Sequence, residues 1–218
     1  MAEVLASQEK RDPLEGVSCG KSDCANGLHC FNETKRKASS LAKGVCAACG
    51  VAVSVDWERV RKMDLVDIDY TINALKKRWV SHLYWCEVEE IDEKALNHAR
   101  RKGRINMREL AEKRIRNSVG KAWNFRDGGQ TPWKGNVIFY AQHATATCCR
   151  KCIDYWYGIE FGRDLTEEEV QRLTALVVRY IEEKVQLTEE GEKIPYRRKK
   201  KQSKQPSVQG QNEQCEVN

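Results

Sequence analysis

The chain has 218 residues, 40% of them hydrophobic and 32% charged, and a formal net charge of +6. A chain of this size can bury a core without covalent staples, and with no run of about 18 apolar residues no membrane-spanning helix is expected. Its start, MAEVLASQEKRDPLEG, lacks the basic opening and apolar stretch of a secretory signal, which predicts a cytoplasmic protein whose ten cysteines are thiols or thiolates rather than disulfides.

Residues 1–16 read as a flexible N-terminus and residues 17–55 as a cysteine-rich module. Zinc takes four ligands at tetrahedral corners, and a C-x2-C turn supplies two sulfurs at the right separation while its amides stabilise their charge. Cys46-Ala47-Ala48-Cys49 is such a turn, and Gly50 follows it with the freedom to take a positive φ. Cys19 and Cys24 are expected to complete the sphere, with His29 or Cys30 as substitutes. Polar, basic residues 32–43 read as a loop carried by the metal. A closed four-ligand sphere contributes stability and has no position open for chemistry.

Residues 56–190 form the main domain. Ile68, Ile72, Leu75, Trp79 and Leu83 recur at helical spacing after Asp67, predicting one amphipathic helix. Cys86 stands alone and reads as a core residue. A second helix opens at Asp92; Gly103 ends or kinks it, and Met107, Leu110, Ala111 and Ile115 continue the apolar stripe. Between Lys94 and Lys121 lie ten lysines and arginines against two acids. Arg100, Arg101, Lys102, Arg104 and Arg108 are the centre of this strip, with Lys113, Arg114 and Arg116 beyond. Such an imbalance of sign suits phosphate binding through counterion release, so nucleic acid is the expected partner.

WNFRDGGQTPW, from Trp123 to Trp133, is turn-rich and polar, and NVIFYAQ from Asn136 reads as a short buried β-strand. The strand leads into HATATCCRKC, where His143, Cys149 and Cys152 offer three ligands and the helix start favours their thiolates. Cys148, His98, His82 and Cys86 are candidates for a fourth. Asp127, Gln142, His143, Thr145 and Thr147 are the candidates for catalysis, because amide, hydroxyl and carboxylate groups crowd both sides of one short element. An open three-ligand zinc would activate water. A zinc deaminase needs H-x-E, and here Thr145 stands at the glutamate's place. An iron–sulfur cluster wants four cysteines. The last helix opens with a Thr166/Glu169 capping box and carries Val170, Leu173, Val177, Ile181 and Val185 on one face. Residues 191–218 lack apolar periodicity and read as a disordered basic tail, with Cys215 a tail thiol.

The stretch DGGQTPWKGNVIFYAQHATATCCRKCIDYWYGI, with GRDLTEEE after it, resembles the bacterial and phage Domain of Unknown Function 4186 family. CGKSDCANGLHCF and NHARRKGR resemble a longer branch of it, so the likeness spans residues 17–185. The resemblance implies no settled activity. The family sequence is similar to W-H-G-I where this chain has Trp156-Tyr157-Gly158-Ile159. Together these readings predict an α+β, mainly helical protein with two zinc ions that contacts nucleic acid through residues 94–121. The alternative is a zinc-dependent enzyme acting on nucleic acid or nucleotides at His143, Cys149 and Cys152.

Overall fold

The computed structural model describes residues 14–30, 44–88, 91–123 and 129–195. Asp127, Cys215 and the basic tail from residue 196 lie outside the described residues. Among the described residues there are seven α-helices: α1 Trp57–Lys62, α2 Ile68–Lys76, α3 Trp79–His82, α4 Glu93–Ser118, α5 Val137–Ala144, α6 Arg150–Tyr157 and α7 Glu167–Lys184. A π-helical turn at Leu83–Glu87 extends α3, and a 3-10 turn spans Cys24–Asn26. Helix α7 packs on α4 and α5; α5 also meets α3 and the π turn; α1 rests on α6.

The expected strand at Asn136 is a helix, and among the described residues only isolated bridges replace regular strands. Asn136 caps α5 by accepting a hydrogen bond from Ile138 N at 2.9 Å. All but one residue of α5, Phe139, is buried. Buried all round, the segment keeps neither the two-residue nor the 3.6-residue period, so its apolar run does not separate strand from helix.

The helix expected from Ile68 to Leu83 is broken at Arg78, which is extended (φ −86°, ψ 127°). The N-terminal segment takes the freed backbone groups: His29 N donates to Lys77 O at 2.9 Å, and Trp79 N donates to His29 O at 3.1 Å. The apolar period runs on through a junction that the hydrogen-bond ladder does not cross. Further contacts hold Gly44 and α1 to α6. Gly44 N donates to Tyr155 Oη at 2.9 Å, and Trp57 meets the rings of Tyr155 and Trp156.

Helix α4 begins at Asp92, whose carboxylate caps Ala95 N. It bends at Gly103 (φ 69°, ψ 173°), where residues 188–192 lie across it. Arg104 N donates to Thr188 O and Glu192 N to Arg100 O, both at 2.9 Å. The Thr166/Glu169 capping box opens α7 as expected. Cys86, expected in the core, is exposed.

Candidate metal centres

The ligand atoms of Cys24, His29, Cys46 and Cys49 lie within 4.8 Å of one another and could hold a metal ion. Two short pieces of chain build this first group. The Cys46–Cys49 turn closes through Gly50 N to Cys46 O at 2.9 Å, with Gly50 at φ 75°, and Ala48 N points at Cys46 Sγ from 3.4 Å. The other piece turns at Cys24 and reaches His29, whose backbone is held between α2 and α3. Cys24 Sγ stands 3.8 Å from Cys46 Sγ, and His29 Nδ1 is 3.6 Å from Cys49 Sγ. Burial opposes ionisation of Cys46, but the amides of Cys49, Ala48 and Cys30 hold its pKa down to about 6. A hydrogen bond with Ser22 favours a Cys24 thiolate, while burial and the Cys49 and Cys46 sulfurs push that thiol up to about 11. Sulfurs crowded this closely cannot all ionise without a cation between them.

Cys19, expected in the first group, stands instead with Cys148 and Cys152, again with all ligand atoms within 4.8 Å. This group could also hold a metal ion. Cys148 stands just before the extended N-cap of α6 and Cys152 in the helix's first turn, and their sulfurs meet at 3.6 Å. Cys149 is the N-cap of α6 and is buried, outside the mutually close set. Hydrogen bonds from Cys148 and Cys152 hold its pKa down to about 4. Cys148, whose thiol serves Cys149, Cys152 and Cys19, is raised well above the ordinary value.

One residue absent from the sequence reading belongs to this group. Arg78 Nη2 lies 3.4 Å from Cys19 Sγ and 3.5 Å from Cys152 Sγ. Its Nη1 donates to Ser81 Oγ and to His143 O, both at 3.3 Å. Burial alone would lower its pKa, but the sulfurs of Cys152, Cys19, Cys148 and Cys149 raise it. The signal in the sequence was an arginine three residues after Leu75, on the inward side of the apolar pattern.

His143 is outside the close set as well. Its ring is stacked between Trp133 (centroids 4.1 Å) and Tyr84 (5.4 Å). Nε2 lies 3.2 Å from Pro132 O and 3.3 Å from Thr131 O, so this nitrogen carries the proton. Nδ1 is buried without a hydrogen-bond partner, and burial holds the imidazole neutral with a pKa of about 4.

Gln142, Thr145 and Thr147 are buried and bonded internally. Gln142 Oε1 accepts from Thr131 Oγ1 (3.1 Å) and Arg114 Nε (3.2 Å), and its Nε2 donates to Thr147 O (3.1 Å). Thr145 Oγ1 donates to Ala141 O at 2.7 Å and lies 3.1 Å from Thr147 Oγ1. Tyr157 donates to Thr145 O and is buried. The HATAT segment is thus the floor that sets Cys148 and Cys152 in place. His82 faces Glu87 at 3.9 Å, His98 sits on α4, Cys30 Sγ points to Cys19 O at 3.7 Å, and none of these joins either group.

Of the basic strip, Arg104 pairs with Glu189 and with Glu182, Arg116 with Glu112 and Glu167, and Lys121 with Asp164. Arg114 serves the Gln142 network. Arg100 and Arg101 are half-buried, whereas Lys102, Arg108 and Lys113 are exposed and make no ion pair among the described residues.

A mainly helical body carrying two thiol-rich groups, each able to hold a metal ion, defines the class of protein. Residues 69–182 match the sequence model of the family described as Domain of unknown function (DUF4186), and the chain belongs to that family. Cys148, Cys152 and Arg78 fall inside the matched span, while Cys19 and the whole first group precede it. No solved structure matches the chain. Among the described residues, no helix is long and apolar enough to cross a membrane.

Proposed function

We propose that the protein is a two-zinc scaffold whose metals clamp the N-terminal segment onto the helical body, and that the finished surface meets nucleic acid. The spacing of the donor atoms carries the zinc reading. With Zn–S near 2.3 Å, a tetrahedron has an S–S edge of about 3.8 Å, and with Zn–N of 2.0–2.1 Å an N–S edge of about 3.6 Å. The first group has edges of 3.8 Å and 3.6 Å, and the second has 3.6 Å between Cys148 and Cys152. An iron–sulfur cluster would hold its cysteines much farther apart, around several metals instead of one.

The first zinc has four protein ligands, which leaves no place for a substrate or water and supports a structural role. At the second, Cys19, Cys148 and Cys152 are the sulfur ligands, and His143, whose Nδ1 is buried without a hydrogen-bond partner but outside the close set, moves in on metal loading as the neutral fourth donor. A ligating histidine has its other N–H anchored by a carbonyl, and Thr131 and Pro132 provide that anchor. Cys149, the N-cap of α6, lies outside this set and is not a ligand in this reading. Gln142, Thr145 and Thr147 spend their hydrogen bonds inside the protein, which favours a scaffold over a catalyst. Lys102, Arg108 and Lys113 on α4 are the phosphate contacts. Native mass spectrometry tests the reading: two zinc ions per chain are expected, and a folded protein without zinc would overturn it.

A further inference from the structure

A guanidinium keeps its proton in any protein environment, so the charge of Arg78 is present wherever its side chain is placed. It is placed almost out of water, at 2% exposure. A buried charge that lacks a counter-charge is strongly destabilising. No Asp or Glu pairs with Arg78 among the described residues; its partners are a hydroxyl, a backbone carbonyl and the sulfurs of Cys19 and Cys152. Neutral thiols would leave the guanidinium without an anion. The sulfurs are therefore the anions that the fold provides for it, and Arg78 in turn decides how much negative charge the group can hold.

We propose that Arg78 is the built-in counter-cation of the second metal group, closing the charge of Cys19, Cys148 and Cys152 around one divalent ion. A divalent ion among three thiolates leaves one negative charge, which the guanidinium cancels. A monovalent ion at the same three sulfurs would leave the buried group negative, and a trivalent ion would leave it positive. The group is thereby matched to a divalent, thiophilic ion with a neutral fourth donor. The same side chain couples metal to fold. Its fork spans Cys19 of the N-terminal segment, Cys152 of α6 and the C-terminal turn of α5 through His143 O, so loading the metal draws the three pieces onto one residue between α2 and α3.

This inference rests on the two-zinc reading, and the first group serves as its internal control. The experiment measures zinc per chain and the rate at which zinc passes to a chromogenic chelator in wild type, Arg78→Gln, Arg78→Lys, and Arg78→Gln combined with Cys148→His. Arg78→Gln should release its second zinc at least tenfold faster than wild type while the first zinc is unaffected. Arg78→Lys, which keeps the charge, should stay within a few-fold of wild type. The double variant exchanges a thiolate for a neutral imidazole and should recover slow release. If Arg78→Gln fails to fold with zinc present, the double variant should fold and hold two ions. Wild-type kinetics in Arg78→Gln, equal loss in Arg78→Lys, or no recovery in the double variant would each overturn the charge-closing role. One zinc or none in wild type would instead overturn the two-zinc reading.

Discussion

Replacing Gly103 by alanine tests whether the bend in α4 is built by its contact with residues 188–192. The glycine has φ 69° and ψ 173°, a region nearly closed to residues with a Cβ and costing about 1–3 kcal/mol for any that enter it. An added Cβ would also sit 2.2 Å from Gly191 N and 2.6 Å from Glu189 O. Both are backbone atoms, so the crossing segment has to retreat. Retreat breaks the Arg104 N–Thr188 O and Glu192 N–Arg100 O hydrogen bonds, each contributing about 1 kcal/mol. The combined loss is about 3–5 kcal/mol, readable as a lower urea midpoint for zinc-loaded Gly103→Ala. Gly191→Ala strikes the same contact from the other side, with a Cβ 2.3 Å from Arg101 O. The double variant should therefore lose less than the sum of the singles. A loss below about 1 kcal/mol for Gly103→Ala, or full additivity, would refute the account of the bend.

Two further outcomes are expected. Cys46→Ser should remove one zinc and raise the hydrogen exchange of residues 14–55, while α4, α5 and α7 keep their protection, because the helical core does not depend on that metal; retention of both ions, measured by mass spectrometry, would count against the first group. Charge reversal at Lys102, Arg108 and Lys113 should abolish a salt-dependent affinity for generic DNA or RNA in a filter-binding assay. Reversal of Arg104 should mainly lower stability, since its charge is spent on Glu189 and Glu182; equal loss of affinity in both would contradict this division.

The parts of the molecule written in local grammar were legible in its sequence. The Cys46–Cys49 turn, the Asp92 start and Gly103 bend of α4, and the Thr166/Glu169 cap all depend on residues within a few positions of each other. What failed was non-local. Val137–Ala144 is buried at every position but Phe139, so its apolar run lost the period that would have marked it as helix. Cys19 lies five residues from Cys24, yet the chain turns between them and delivers it to sulfurs more than a hundred residues away. Arg78 falls on the inward side of the apolar pattern, but the sulfurs that meet its guanidinium come from Cys19 and Cys152, far away along the chain. The basic strip was legible as composition, but acids from α7 and the segment after it pair with Arg104 and Arg116 and so spend their charge.

X-ray absorption at the zinc edge of the purified, metal-loaded chain tests the central claim most directly. The account predicts two zinc ions per chain, each with an average shell of three sulfurs near 2.3 Å and one nitrogen at 2.0–2.1 Å. A shell dominated by oxygen, a sulfur count well below three, or a folded chain whose edge signal is absent would contradict it.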